Sequence, residues 1–290
     1  MTPLGSVGIL GATSLVGGPL TRRLLADGRT VVAVSRTVAG PDTAALAWRP
    51  PGADDVTAVT EWVSLCPLWI LPEWLPWLVR AGCRRLVATS STSVFTKVTS
   101  PDRRDRALAA RLADAENRVS QLAAGHGIGL VLLRPTMVYD GIRDGNVAAI
   151  AAFIRRWRFF PLADAARGLR QPVHAADVAA ACAAALAAGA PAPAYALSGP
   201  EPLPFCDLVA AIFTWLGLPP RMPCLPPPLF RAGLATAHAI GLGRSVSSGM
   251  LARMNEDLAC GHDLAARDLG FRPRSFLRDM EPLTAARSPS

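Results

Sequence analysis

The chain has 290 residues, of which 51% are hydrophobic and 18% are charged. This balance excludes a disordered polymer and allows a large buried core. The formal net charge of +8 rests almost wholly on arginine, since Lys97 is the one lysine among 30 basic residues. The arginines are scattered and form no basic stripe with interleaved aromatics, so we expect no nucleic-acid partner. Coding bias or an anionic small molecule accounts for the positive charge.

The six cysteines show neither C-x-x-C nor Cys/His metal spacing. We therefore expect free thiols and no metal site. The first strand is predicted within a few residues of Met1, with no charged-then-apolar leader, and this favours a cytoplasmic protein. No apolar run is long enough to span a bilayer, so we expect no transmembrane segment. The closest run, Leu225–Gly243, is interrupted by three prolines and Arg231, and it leaves open a peripheral membrane contact or a lid over an apolar ligand.

The first predicted elements are a strand at Ser6–Leu10 and a helix at Gly18–Asp27, joined by a glycine-rich turn. The segment reads Gly8-Ile-Leu-Gly11-Ala-Thr-Ser14-Leu-Val-Gly17. Glycines let a backbone approach a pyrophosphate, and a helix N-terminus offers free N–H groups and a positive dipole. The pattern predicts a dinucleotide site, where the hydroxyl of Ser14 can donate to a phosphate oxygen. The candidate contacts are Gly8, Gly11, Thr13, Ser14, Leu15, Val16 and Gly17.

The second predicted strand, Thr30–Val34, is followed by Ser35 and Arg36. A site for NAD would place Asp or Glu here, because a carboxylate accepts a hydrogen bond from the ribose 2′-OH. A basic residue instead pairs with the 2′-phosphate of NADP. Ser35 can add a hydrogen bond. This pattern favours NADP, with NAD as the alternative and an ordinary surface arginine as the plain interpretation of Arg36.

The rest of the chain continues to alternate strands and helices, which predicts a doubly wound α/β fold with a parallel sheet. We expect a dinucleotide-binding Rossmann core at 1–140, while 141–290 completes this core and forms a small substrate lobe. Further strands are predicted at Trp62–Leu65, Arg85–Thr89, Gly129–Leu133 and Ala194–Leu197, with an extended piece at Leu169–Val173. Helices are predicted at Glu73–Ala81, Arg103–Ala124, Asn146–Arg156, Ala176–Ala188, Phe205–Leu216 and Val246–Leu258. Pro219–Pro228 is predicted to be a loop and Ala285–Ser290 a frayed tail.

Five segments carry a more specific pattern, and they follow one another along the chain. They are Ser90–Phe95, Leu133–Gly141, Gly168–Asp177, Ala194–Gly199 and Ala265–Pro273. In this order they resemble the SS-x-x-V-Y, R-P-x-x-V-Y-G, G-x-R-D-(F/Y)-(I/V)-H-V-x-D, x-Y-N-(L/V)-x-G and A-x-x-x-L-G-(F/W)-x-P motifs of the extended short-chain dehydrogenases/reductases. That family includes sugar-nucleotide epimerases and dehydratases.

The resemblance implies roles for individual residues. Ser91 would orient the substrate oxygen, and Arg170 would bind the diphosphate of a sugar nucleotide. His174 and Asp177 would be structural. Additional cofactor contacts would be Cys66, Pro67, Ser90, Pro135 and Thr136, and additional substrate contacts would be Thr92 and Tyr139.

One departure from the family concerns catalysis. The family transfers protons with a Tyr-x-x-x-Lys pair, but both tyrosines, Tyr139 and Tyr195, follow Lys97 in this chain. The pair therefore cannot exist. Arg111 can keep an electrostatic and ribose-binding role, yet it cannot donate a proton near neutral pH. Lys97 lies close to the expected nicotinamide position, and a desolvated lysine can act as acid or base. A solvated loop position is the alternative for Lys97.

The leading hypothesis is an atypical nicotinamide-dependent oxidoreductase or epimerase acting on a nucleotide-linked sugar or similar metabolite. Ser91 and Lys97 are its candidate catalytic residues, with bound water as another source of the proton. Two alternatives stay open, a non-catalytic NAD(P)-binding sensor or complex-associated module and a reductase of an apolar or lipid-linked substrate. A homodimer is compatible with the sequence. The tryptophans at 62, 69, 74 and 77 either line a pocket beside Cys66 or pack between helix and sheet.

Overall fold

A computed structural model describes residues 5–37, 40–188, 193–230, 232 and 254–277. The strands are β1 Val7–Leu10, β2 Val31–Val34, β3 Leu46–Arg49, β4 Glu61–Ser64, β5 Arg85–Thr89, β6 Gly129–Pro135, β7 Val138–Tyr139, β8 Leu162–Ala163, β9 Leu169–Arg170, β10 Val173–His174, β11 Ala194–Leu197, β12 Leu203–Pro204 and β13 Cys224–Leu225. The helices are α1 Gly17–Ala26, α2 Leu71–Arg80, α3 Ser93–Thr96, α4 Arg103–Gly125, α5 Val147–Trp157, α6 Ala175–Ala187, α7 Phe205–Trp215 and α8 Asp263–Leu269, with a 3-10 turn at Leu68–Ile70.

The described residues form two compact units, each built from separated stretches of the chain. The first contains Met1–Thr136, Val173–Ser198 and Cys260–Pro273. The second contains Met137–Pro172, Gly199–Ala259 and Arg274–Ser290.

The first unit is organised around a seven-stranded sheet in the order β11-β6-β5-β4-β1-β2-β3. Every neighbouring pair in it is parallel. β1 lies between β2 and β4, with Val7 opposite Val31 on one side and Glu61 on the other. The winding direction therefore reverses at β1, and ligands of such sheets bind at the carboxyl ends of the strands beside this reversal. The predicted doubly wound Rossmann fold is confirmed.

Tryptophans pack between the sheet and α2. Trp62 is fully buried, its indole N–H donates to the Val59 carbonyl at 2.8 Å, and its ring meets that of Trp77 edge to face at 5.2 Å. Trp74 contacts Trp77 in the same way at 6.4 Å. Packing is thus the role of these three rings, because edge-to-face aromatic pairs stabilise a core beyond their buried area. Trp69 instead contacts the Arg111 guanidinium.

The second unit has short strand pairs and two packed helices. β12 pairs antiparallel with β9, and β13 pairs parallel with β8. α5 and α7 enclose a core that includes Tyr139, Ile154 and Phe213. Gly168 is required here because a Cβ would lie 2.5 Å from the Glu256 carbonyl oxygen.

Some predicted elements differ from the structure. β3 was not predicted because its four residues, Leu46-Ala-Trp-Arg49, are only half-buried at the sheet edge and show no apolar alternation. Cys224–Leu225 forms β13 within the predicted loop Pro219–Pro228. Residues 246–253 of a predicted helix, most of Leu225–Gly243 and the tail Ala285–Ser290 lie outside the described residues. Among the helices of the described part, none is long and apolar enough to cross a membrane.

Candidate functional site at the carboxyl ends of the central strands

The glycine-rich turn after β1 is built from close backbone approaches. A Cβ on Gly8 would lie 2.3 Å from the Trp62 ring, and one on Gly17 would lie 2.1 Å from the Ala12 carbonyl oxygen. Gly11 has a φ of +87°, in the region that only glycine adopts without strain. These three positions therefore require glycine, because the turn packs closely against Trp62, Ala12 and the segment at Cys66.

The same turn presents one hydroxyl donor, that of Ser14, at the start of α1. Ser14 N donates to the Gly11 carbonyl at 2.9 Å, while Gly17 N donates to Ser14 Oγ at 3.2 Å. Since Ser14 Oγ accepts this bond, its own proton remains to be donated. The first turn of α1 contains no acidic residue. The arrangement suits an anion at the helix N-terminus.

The end of β2 is tied to this turn. Ser35 Oγ and Thr13 Oγ1 are 2.8 Å apart, and Thr37 N donates to Ser35 Oγ at 3.3 Å. Arg36 follows Ser35 and is exposed. Ser35 thus anchors the turn, and Arg36 is an exposed cation beside it.

A cavity of about 370 Å³ opens at the carboxyl ends of β4 and β5, facing α4. This volume is within the usual range for small-molecule sites. A Cβ on Gly11 would lie 3.2 Å from Cys66 N, so the glycine turn adjoins the cavity wall. The cavity is lined by Leu65, Cys66, Pro67, Leu68, Trp69, Thr89, Ser90, Ser91, Leu108 and Leu112. It brings together four predicted site residues: Cys66, Pro67, Ser90 and Ser91.

The hydroxyl groups from the end of β5 have different partners. Thr89 donates to the Ser64 carbonyl at 3.2 Å, and Ser90 donates to Glu116 Oε1 at 2.6 Å. Ser91 Oγ instead accepts from Ser93 N at 3.1 Å, which leaves its proton available. Ser91 is therefore the cavity hydroxyl placed to donate to a ligand oxygen.

Two leucines of α4 form the opposite wall, and sequence reasoning missed them. Leu108 and Leu112 are four residues apart, so they lie on one face of the helix. Both line the cavity with Ser91. Their spacing equals that of a Tyr-x-x-x-Lys pair, but the helix face toward Ser91 carries two apolar side chains at these positions. The four-residue spacing was visible in the sequence, but the helix face that meets Ser91 was not.

The two cationic residues considered for catalysis do not line the cavity. Lys97 Nζ lies 2.8 Å from Asp105 Oδ1, and the two side chains are 15% and 5% exposed. Ser100 Oγ donates to the other oxygen of Asp105 at 3.5 Å. Arg111 is exposed and stacks on Trp69, with its guanidinium carbon 4.0 Å from the ring centroid. Lys97 is thus neither a solvated loop residue nor a wall residue of this cavity.

Cys66 is the thiol of the cavity wall. Burial raises its pKa, while a hydrogen bond with the Ser64 hydroxyl, 3.0 Å from the sulfur, opposes this shift. A neutral thiol at neutral pH is a poor nucleophile and a poor metal ligand. Within the described ranges, no group of three His, Cys, Asp or Glu side chains could hold a metal ion.

Two of the predicted substrate residues belong to the second unit. Tyr139 is fully buried against Phe276 at 5.1 Å, and its hydroxyl accepts from Leu277 N at 3.3 Å. Arg170 is also buried; its Nη1 donates to the Leu169 and Glu256 carbonyls at 2.7 and 2.8 Å. Its guanidinium carbon lies 5.6 Å from the Phe205 ring centroid. Arg170 therefore does not lie in bulk solvent.

The remaining predicted residues are structural neighbours of the site. Thr92 N donates to the Pro135 carbonyl at 3.1 Å, and Thr136 N donates to the Leu197 carbonyl at 2.9 Å. These bonds join the ends of β5, β6 and β11. His174 Nδ1 accepts from Ala176 N at 3.1 Å and thereby caps α6, which is the structural role expected for it.

No protein-family profile and no curated protein matches the chain. Solved structures do match it in fold. MoeE5, solved in complex with UDP-glucuronic acid and NAD, is 21% identical with a TM-score of 0.67, covering 95% of this chain and 96% of its own. The UDP-glucose 4-epimerase of Thermotoga maritima, solved with UDP-glucose, is 14% identical with a TM-score of 0.66 and 94% of each chain covered. DesIV, the dTDP-glucose 4,6-dehydratase of Streptomyces venezuelae, solved with NAD and TYD, is 16% identical with a TM-score of 0.67 and 94% of each chain covered.

These neighbours confirm the predicted resemblance at the level of the fold. The chain has the α/β fold of extended short-chain dehydrogenases/reductases, as found in nucleotide-sugar epimerases and dehydratases.

Proposed function

We propose that the chain is a nicotinamide-dependent oxidoreductase or epimerase acting on a nucleotide-linked sugar or similar metabolite. One observation carries the proposal. A turn with three obligatory glycines adjoins a cavity that contains an available hydroxyl, beside the point where the sheet reverses its winding. Dinucleotides bind at such a point. The known complexes of fold neighbours with NAD support the same class of cofactor.

The residues present fit a dinucleotide. Side chains on Gly8 and Gly17 would collide with Trp62 and Ala12, so glycine is required for the tight strand–turn–helix geometry that pyrophosphate-binding turns have. Ser14 would donate to a phosphate oxygen, and Arg36 would pair with a 2′-phosphate, which favours NADP over NAD. The remaining proposed cofactor contacts are Gly11, Thr13, Leu15, Val16, Ser35, Cys66, Pro67, Ser90, Pro135 and Thr136. When bound, the nicotinamide supplies or accepts a hydride.

The chain itself would orient the substrate. Ser91 would donate to the substrate oxygen, while Leu108 and Leu112 exclude water from that side of the cavity. Proton exchange with this oxygen is assigned to Lys97, which would act through bound water because it does not line the cavity, or to water alone. Arg170, with its planar guanidinium, is proposed for a substrate diphosphate, and Thr92 and Tyr139 as further substrate contacts. We also propose a cytoplasmic location, which suits six free thiols.

A second candidate is a non-catalytic NAD(P)-binding module. The observation that favours it is the apolar α4 wall, since Leu108 and Leu112 cannot exchange protons with a ligand. Such a module would bind the cofactor without turning it over.

A turnover assay across a panel of nucleotide sugars and simple carbonyl compounds separates the two candidates. We expect NADPH oxidation with at least one compound. Ser91→Ala should lower kcat/KM about 100-fold, because one preorganised donor to a developing oxyanion has this magnitude. Ser120→Ala, at an exposed position of α4, is the matched control. Tight NADPH binding with no turnover by any compound would instead support the non-catalytic module.

A further inference from the structure

We propose that the exposed end of α5, in the second unit, docks the protein on an anionic lipid bilayer. Five consecutive exposed residues form this basic-aromatic surface: Arg155, Arg156, Trp157, Arg158 and Phe159. None of them is among the proposed cofactor or substrate contacts. The surface is therefore a binding site beyond the proposed function and does not depend on it.

The arginines of the basic-aromatic surface have no ionic partner among the described residues. No carboxylate there lies within ion-pair distance of Arg155, Arg156 or Arg158. A fourth exposed arginine, Arg221, borders the surface, since its carbonyl accepts from Phe160 N at 2.9 Å. Cations without counter-ions on the protein thus meet at one place, and they attract an anionic partner.

The backbone at Arg158 indicates that this charge is not explained by the stability of α5. Arg158 ends the helix with a φ of 62° and a ψ of 14°, a left-handed conformation that glycine usually adopts at this position. The helix dipole favours Arg155 and Arg156 in the last turn. It does not explain an arginine at a strained position, and strain of this kind points to function.

Two aromatic rings give the surface an apolar part. Trp157 and Phe159 are 41% and 37% exposed. Both pack on Phe153, with ring centroids 6.4 and 5.9 Å apart, and Phe153 meets the buried Phe160 at 5.5 Å. The core of the second unit therefore supports the exposed rings. Tryptophan beside arginine suits a membrane–water interface, where the ring enters the headgroup layer and the guanidinium pairs with lipid phosphates.

A nucleic acid also carries phosphates, but it fits this surface less well. The Arg156 guanidinium carbon lies 4.9 Å from the Trp157 ring centroid, so a cation covers one face of the ring on which a base would stack. The surface is also confined to one helix end, whereas a nucleic-acid strand is bound by cations along its length. A bilayer needs only a local patch of cations and apolar groups.

Co-sedimentation of the full chain with lipid vesicles tests the proposal. The vesicles contain phosphatidylcholine alone or phosphatidylcholine mixed with phosphatidylglycerol, and we expect much tighter binding to the anionic mixture. Arg155→Gln with Arg156→Gln should lower the partition coefficient roughly 25-fold, since each arginine near an anionic surface contributes about fivefold. Arg103→Gln with Arg104→Gln, at two exposed positions of α4, is the matched control because it removes the same charge elsewhere.

Two single variants test the aromatic part and the strained position. Trp157→Gln should weaken binding at least about fivefold, whereas Leu264→Gln, at an apolar position that is 48% exposed, should not change it. Arg158→Gly separates binding from folding. It should lower vesicle binding about fivefold while the melting temperature is unchanged or higher, because glycine accepts the left-handed backbone without strain.

Equal losses of vesicle binding in the two double variants would overturn the proposal, because net charge rather than this surface would then account for binding. Full binding by both Arg158→Gly and Trp157→Gln would overturn it as well. The same holds if the native protein does not bind anionic vesicles, or if it binds a single-stranded oligonucleotide more tightly at the same phosphate concentration.

Discussion

Cofactor preference depends on single side chains at the end of β2. Ser35 is held by Thr13 at 2.8 Å, whereas Arg36 is exposed and free to meet an anion. A charge-assisted hydrogen bond contributes about 1.5–3 kcal/mol, so Arg36→Ala should weaken NADP binding roughly tenfold or more. NAD binding should not change, because NAD has no 2′-phosphate. Calorimetry with both cofactors checks this, with the exposed Arg118→Ala as control. Equal NAD and NADP affinities in the native protein would contradict the NADP assignment.

Lys97 and Asp105 form a nearly buried ion pair, which complicates a simple test of catalysis. We expect Lys97→Met to remove most turnover. It also breaks a nearly buried ion pair, a change that costs about 3–5 kcal/mol of stability. The variant Lys97→Met with Asp105→Leu removes both charges and should recover much of this loss, as measured by urea denaturation.

Activity of this double variant then separates the two roles of Lys97. A stable protein that stays inactive supports Lys97 as the proton donor or acceptor. A stable protein with full activity would show that the lysine is structural, and proton exchange would then pass to water.

Among the secondary-structure elements, hydrogen bonds to Glu116 of α4 connect this helix to the ends of β5 and β6. Its buried carboxylate receives bonds from Arg134 Nε at 2.9 Å, from Arg134 Nη2 at 2.5 Å and from Ser90 Oγ at 2.6 Å. Bidentate arginine–carboxylate pairs are among the stronger polar contacts. The network therefore fixes the helix against the strand that precedes Ser91.

These hydrogen bonds predict a large loss of stability in the Glu116→Ala variant. The free energy of unfolding of this variant should be lower by about 3–5 kcal/mol than that of the native protein. The reason is that Arg134, in a largely buried position, loses the Glu116 carboxylate. Asp114→Ala on the same helix is the control. Asp114 and Arg118 form an exposed pair at 3.9 Å, and such pairs contribute about 0–1 kcal/mol. Equal losses of stability in the two variants, measured by urea denaturation, would show that the Glu116 network does not hold the elements together.

For the whole molecule, packing divides the six cysteines by reactivity. Burial raises the pKa of Cys83 and of Cys182 to about 12, so neither forms thiolate near pH 8. Cys224 is exposed. We expect a thiol-specific aromatic disulfide reagent to modify Cys224 first in the native protein and to reach Cys83 and Cys182 only on unfolding, where all six thiols react. Mass spectrometry of modified peptides measures the order. Early modification of Cys182 would mean that α6 opens locally.

Much of the fold was determined by local sequence. β5 and β11 have the predicted bounds, β1 and β2 begin one residue later than predicted, and α1 begins and ends one residue earlier. Short apolar runs and glycine turns are local signals, so such elements can be predicted from the sequence. The turn at Gly8–Gly17 was also predictable, since close approach and a positive φ exclude other residues. The absence of Tyr-x-x-x-Lys followed from residue order alone.

Tertiary structure decided which side chains meet. Ser90 meets Glu116, which is 26 residues away, and Lys97 meets Asp105 across the start of α4. The phase of α4 places Leu108 and Leu112, rather than Arg111, at the cavity wall. A helix pattern predicts its apolar face but not the residue of a neighbouring strand that this face meets. That pairing depends on how side chains interdigitate between helix and sheet, and only the packed core determines it.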